Sequence, residues 1–205
     1  HAADRSGRPL WLGHPFVISA DVIVIGAGIV GAACAHELAA AGLSVHVIDA
    51  RKGGATNAGM GHLVVMDDNP AELALSQSSL DLWHQWGPRM NADQPTCQFT
   101  NCGTLWVAAN AEEMAAAEEK QERLRAHGIA CELLGPAALA AAEPLLRPGL
   151  AGALKVGGDS VVYAPNAAEW LLTHAPRPIR FEQAEVTRIE GRSVRLADGG
   201  TRSAG

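Results

Sequence analysis

Residues Asp21 to Asp49, DVIVIGAGIVGAACAHELAAAGLSVHVID, constrain the fold more than any other part of the chain. A β-branched run leads into Gly26, Gly28 and Gly31, spaced G-x-G-x-x-G. An alanine-rich stretch follows, and a second apolar run ends in Asp49, 18 residues past Gly31. The order is strand, glycine turn, helix, strand, acid, and each part has a physical job in holding a dinucleotide. Gly26 allows a tight turn out of the strand. Gly28, without a Cβ, lets the backbone approach a pyrophosphate. Gly31 lets the helix lie close to the strand. The helix start turns N–H groups and a positive dipole end toward phosphates. Asp49 can accept hydrogen bonds from a ribose diol. A glycine turn between an ordinary strand and helix explains neither the register of the three glycines nor the strand-terminal acid.

The 205 residues admit one large domain or two small ones, and a hydrophobic content of 48% is enough for a core. Net charge is −6 and no basic block exceeds a pair, which argues against nucleic acid as a partner. The longest uncharged apolar run, Val22 to Ala35, is too short to span a bilayer. No segment has the order of a secretory signal. The expected location is cytoplasmic, or peripheral to the inner membrane. Cys34, Cys97, Cys102 and Cys131 form no CxxC and read as reduced thiols, although the spacing of Cys97 and Cys102 also permits a bridge across a hairpin. His36, His46, His84, His127 and His174 lack metal-ligand spacing and read as structural, so no metal is expected. His62 reads as a surface or capping residue, and Asp67-Asp68-Asn69 as helix capping rather than a cation site.

Along the chain, residues 1–20 show no period and read as an extension outside the fold. Strands are expected at Val22–Ile25 and Ser44–Ile48, with a helix over Ile29–Ala41 capped by Gly42. RKGGATNAGMGH, from Arg51 to His62, reads as a small-residue loop. Its bare backbone can cradle phosphates or lie against a flat ring, with Thr56 and Asn57 adding hydrogen bonds. Asn69-Pro70-Ala71-Glu72 opens a helix to about Trp86, and Asn110 with Glu113 opens another to His127, whose charges read as a solvated face. Extended segments follow at 98–109, Cys131–Leu134 and Leu150–Val156, with helices over Pro136–Ala142 and Asn166–His174. Ala184–Glu190 and Ser193–Leu196 read as a hairpin. The late return of this Val/Ile-rich hairpin is the arrangement of a nucleotide domain with a second domain inserted into it.

Taken together these residues resemble the FAD-dependent D-amino acid oxidase family, which includes glycine and sarcosine oxidases and several dye-linked amino acid dehydrogenases. The resemblance runs from Asp21 to about Leu196. It rests on VIGAGIVG, Asp49-Ala50-Arg51, the TNAGM loop, VVYAPNAAEWLL at 161–172 and AEVTRIEG at 184–191. The pattern is most similar to glycine and sarcosine oxidases and to bacterial D-amino acid or D-hydroxyproline dehydrogenases. It implies the α/β class: a Rossmann-like FAD-binding domain with an inserted mixed α+β substrate domain. The expected divisions are 21–65 and 181–205 for the FAD domain and 66–180 for a partial substrate domain.

The resemblance also implies site roles. Gly26, Ala27, Gly28, Ile29, Val30 and Gly31 would hold the FAD pyrophosphate, and Asp49, Ala50 and Arg51 the adenosine ribose. Many members carry Glu at the position of Asp49; Asp keeps the charge with a shorter reach. Thr56, Asn57, Ala58, Gly59 and Met60 would lie along the ribityl chain and flavin, and the Val186 backbone would contact the adenine. Members continue well past the position of Gly205, where their main substrate-recognition residues lie. The chain is therefore expected to be truncated and to depend on a missing C-terminal half or a partner chain, and no catalytic residue is identified within it. The implied reaction oxidises the C–N bond of an amino or imino acid by hydride transfer to the flavin. Electrons then pass to oxygen or a respiratory acceptor. An NAD-dependent dehydrogenase and a non-catalytic FAD-binding fragment are the alternatives. Gly28→Val should block cofactor binding sterically; a purified variant that still carries flavin would contradict the glycine-turn reading.

Overall fold

The computed structural model describes residues 20–67 and 69–205. Its elements are β1 (Val22–Ile25), α1 (Ile29–Ala40), β2 (Val45–Asp49), α2 (Ala55–Ala58), β3 (His62–Leu63), α3 (Pro70–Asp93), β4 (Thr104–Ala108) and α4 (Ala111–Ala126). These are followed by β5 (Cys131–Leu134), α5 (Pro136–Ala142), β6 (Gly152–Val156), β7 (Ser160–Val161), α6 (Ala164–Thr173), β8 (Arg180–Gln183), β9 (Val186–Glu190), β10 (Ser193–Leu196) and β11 (Thr201–Ser203). The chain divides into two compact units. One holds the described residues up to Ala55 together with Ala168–Gly205; the other is Thr56–Ala167.

In the first unit β1, β2 and β8 form a parallel sheet in the order β1-β2-β8, with Val24 opposite Val47 and Val47 opposite Phe181. Successive side chains of β2 point to opposite faces, and both faces are covered, so the strand reads as a continuous apolar run. On one face Val45 and Val47 pack on Ala35 and Ala39 of α1. The small alanines let the helix approach closely. On the other face Ile48 packs on Val194 and Leu196. These belong to the antiparallel sheet β9-β10-β11. Trp170 is fully buried between the rings of His36 and His174, stacked at 6.1 and 5.1 Å. Those two histidines are structural, as expected.

Two expectations change here, and one element is new. Of the extension over 1–20, residues 1–19 lie outside the described residues, but Ala20 is buried and bridges in parallel to Ala204. The expected hairpin is a three-stranded meander, because Thr201–Ser203 pairs with β10. The segment RFEQ, to which the sequence assigned no element, is the third parallel strand, β8. Its polar residues hid it. The main partner of Glu182 is distant in sequence: the Glu182 carboxylate accepts two hydrogen bonds from Arg202, at 2.9 and 2.5 Å.

In the second unit β4, β6 and β5 form an antiparallel sheet, and β3 pairs antiparallel with β7. Leu154 and Val156 of β6 pack with Leu73 and Leu80 of α3 and with Ala117 and Leu124 of α4. Helix α3 does not stop near Trp86 but runs through Pro88 to Asp93. Proline removes a helical hydrogen bond, and tertiary contacts override that loss. Met90 is fully buried, and the Asn91 side chain both donates to the Phe99 carbonyl, at 2.7 Å, and accepts from its N–H, at 2.9 Å.

Asn69 caps α3 by accepting from the Glu72 N–H at 2.9 Å. Asp67 does not cap it, and Asp68 lies outside the described residues. The Asp67 side chain is buried against Lys120 and Arg123 of α4. Burial pushes its carboxyl up, but these two cations hold it below the ordinary range. The charged stripe of α4 is therefore not wholly solvated. Cys34, Cys102 and Cys131 are free thiols, so Cys97 and Cys102 are not bridged. Among the described residues no helix is long and apolar enough to cross a membrane, and no cluster of metal-ligating side chains forms.

His46 faces the charged cluster in the first unit. It is 1% exposed, and its Nε2 lies 2.9 Å from Glu182 Oε2, misaligned for a hydrogen bond. Burial, then repulsion from Arg180, lowers its pKa against the attraction of Glu182. The folded state thus binds fewer protons than the unfolded state. The stability contributed by neutral His46 is present above about pH 6.5, the unfolded value. It is lost as pH falls toward the folded value. Glu182 is held low chiefly by Arg202, so its contribution is lost only in the more acidic range below its own unfolded value. The melting temperature should decline already just below about pH 6.5, and His46→Gln should remove that first decline while keeping the second. A wild-type melting curve flat between pH 7.5 and 5.5 would contradict the assignment.

A candidate dinucleotide cradle

The glycine turn is built by three local constraints. Gly26 sits at φ +98°, where L side chains are rarely found, and its N–H donates to the Ile48 carbonyl at 2.8 Å. A Cβ on Gly31 would overlap the Gly26 carbonyl oxygen. Gly28 is the N-cap of α1, with no side-chain cap and no acid in the first turn. The start of a helix leaves N–H groups without intrahelical partners, and the helix's own first turn carries no acid. Ile29 and Val30 form that first turn, and the Val30 side chain is exposed.

Asp49 does more than the sequence suggested. Its Oδ2 accepts from the Ala27 N–H at 2.7 Å and its Oδ1 from the Arg51 N–H at 2.5 Å. One carboxylate fixes the glycine turn and the segment after β2 together. Each oxygen keeps a lone pair for a hydroxyl. The Ala27 N–H, expected to serve the pyrophosphate, serves Asp49. Ala50 links Asp49 to Arg51, whose backbone sits at φ +55°. The Arg51 guanidinium carbon lies 4.6 Å over the Phe181 ring. Lys52 pairs with Glu185 at 2.7 Å, and the Ala184 N–H donates to the Asp49 carbonyl at 3.1 Å. Val186 opens β9 and packs half-buried beside Ile48, Val194 and Leu196. The structure therefore gathers Gly26–Gly31, Asp49–Arg51 and Val186 within one unit. Phe181 was missed; the alternation in Ile179-Arg180-Phe181-Glu182 was the available signal.

The expected flavin loop lies in the other unit. Thr56, Asn57 and Ala58 belong to the short helix α2, and Gly59 and Met60 follow it, with Met60 81% exposed. The loop's end is fixed: a Cβ on Gly61 would overlap the Val162 carbonyl, and the Val162 N–H donates to the Gly61 carbonyl at 2.9 Å. His62 is exposed in β3.

A helix start with no side-chain cap, a glycine turn and a strand-end carboxylate together fit the ADP half of FAD. Asp49→Ala removes both backbone clamps as well as the ribose acceptors. FAD affinity should fall by about 1–3 kcal/mol, read by fluorescence titration. Asp49→Glu should restore part of it, and an unchanged affinity in the alanine variant would refute the role.

Comparison with known proteins agrees with this geometry. The family described as FAD dependent oxidoreductase matches residues 21–204. The bifunctional protein MnmC of tRNA 5-methylaminomethyl-2-thiouridine biosynthesis, from Burkholderia mallei (strain SAVP1), is 31% identical over 178 residues, covering 83% of this chain and 26% of its own length. Glycine oxidase from Geobacillus kaustophilus superposes with a TM-score of 0.80 at 24% identity, over 91% of this chain and 53% of its own. L-Proline dehydrogenase from P. horikoshii gives 0.78 at 24% identity, over 91% and 51%. The chain thus spans about a quarter of the curated relatives it matches and about half of these solved structures. The cradle and the match over nearly all described residues show that the chain belongs to the FAD dependent oxidoreductase family, whose cofactor is FAD.

Proposed function

We propose that the protein takes part in oxidising the C–N bond of an amino or imino acid. The observation that carries this reading is the Asp49-clamped glycine turn, within a fold shared with glycine oxidase and L-proline dehydrogenase. FAD, when bound, supplies the two-electron acceptor. The chain's residues bind and orient. Gly26, Gly28, Ile29, Val30 and Gly31 hold the pyrophosphate at the start of α1, with Ala27 locked by Asp49. Asp49 receives the ribose hydroxyls, and Ala50 and Arg51 flank it. The Val186 backbone meets the adenine. Electrons then pass to oxygen or a respiratory component. Family membership favours FAD over the NAD alternative.

A second reading has one observation behind it. The name of the MnmC relatives contains an aminomethyl group on a thiouridine of tRNA, and an aminomethyl group also offers a C–N bond. A net charge of −6 without a basic patch in sequence argues against an RNA substrate for this part of the chain.

The test is the visible spectrum of the purified, desalted protein. Oxidised-flavin bands released as FAD on denaturation are expected. Bleaching under anaerobic conditions by D-amino acids, glycine or cyclic imino acids would support the first reading. Bleaching only by aminomethyl-modified tRNA would support the second. A protein that retains flavin but is bleached by no donor would fit a binding fragment.

A further inference from the structure

We propose that Arg51 and Phe181 form a stacking platform for the purine of the bound dinucleotide, which makes Phe181 a positioning residue at the adenosine end. This rests on the role given above to Asp49.

Phe181 occupies an unusual place. Its register partner Val47 is fully buried, yet Phe181 is 38% exposed, and the Arg51 guanidinium lies over its ring. A surface arginine over an aromatic ring is common enough to need no ligand. Here the arginine is held there. Its backbone adopts a left-handed conformation, which a non-glycine residue takes only when something holds it there. The contact that holds it is the Arg51 N–H on Asp49 Oδ1. The other oxygen of the same carboxylate fixes the glycine turn. A pyrophosphate-side element and Arg51 are therefore set by one side chain.

The segment from Phe181 to Glu185 is stapled to the segment after β2 twice more, by Lys52–Glu185 and by the Ala184 N–H on the Asp49 carbonyl. These contacts lie past the carboxyl ends of parallel strands β2 and β8, where open α/β sheets bind their ligands. A guanidinium is planar and weakly hydrated, so with one face on the Phe181 ring its other face can stack a purine. Arg51 is two residues from the acid that receives the ribose, and the base is joined directly to that ribose. The chemistry that fits is an adenosine diphosphate group rather than a flavin mononucleotide.

The experiment is a displacement titration on the full chain. FAD binding is followed by quenching of flavin fluorescence, and bound FAD is displaced with ADP or with inorganic pyrophosphate. Phe181→Leu keeps an apolar side chain without a ring; Arg51→Lys keeps the charge without the planar face. Each should weaken FAD and ADP binding about tenfold, the size of one lost base stack, and leave pyrophosphate displacement unchanged. If Arg51→Lys binds ADP like the wild type, charge rather than stacking acts there and the platform is overturned. If pyrophosphate weakens in step with ADP, Phe181 acts only through packing, which overturns it too. A wild-type chain that binds no FAD defeats the underlying reading itself, and is told apart because no variant is then needed.

Discussion

One carboxylate at the end of β2 organises the glycine-turn end of the first unit. Asp49 accepts from the Ala27 N–H within the glycine turn and from the Arg51 N–H beyond the strand. Charge-assisted hydrogen bonds of this kind are shorter and stronger than neutral ones. The turn could not hold its shape by side-chain packing, because its glycines have no side chains. Register at the opposite end of the same strands is set in a similar way. Asp21 accepts from the Ser44 N–H and hydroxyl, and its own N–H donates to Ser44 Oγ. Two acids, at the start of β1 and the end of β2, thus fix the sheet on which α1 lies.

The other face of that sheet is held by a mixture of apolar and charged contacts. Ile48, Val194 and Leu196 supply the burial. Glu182, reached by Arg202 and flanked by Arg180 and His46, supplies specificity. A partly buried ion pair contributes little net stability once desolvation is counted. It does penalise any docking of the meander that would leave Glu182 unpaired. The cost is borne by His46, which is kept neutral in a place too dry for its charge.

The second unit shows packing overriding local preference. Proline at 88 should end a helix, yet α3 continues because Met90 and Asn91 beyond it have fixed partners. Gly87 contributes: a Cβ there would run into the Phe99 ring. The helix passes close to Phe99 because glycine stands at 87.

The sequence by itself determined the local elements. Three glycines in register, alternating or continuous apolar runs and Asn caps are nearest-neighbour signals, and they placed β1, α1, β2, α4, β5 and α5 within a residue or two. They also marked Gly26, Gly28, Gly31 and Asp49 as a dinucleotide site, since each acts through its own backbone or charge. Only the tertiary structure decided what depends on residues far apart. It put RFEQ in the sheet, because the partner of Glu182 stands 20 residues later. It gave Asp67 to α4 rather than to a cap, because Lys120 lies 53 residues away. It showed Asp49 engaged by the backbone, and Arg51 over Phe181. Burial and pairing are properties of the folded chain, and no local pattern encodes which distant charge will satisfy a buried one.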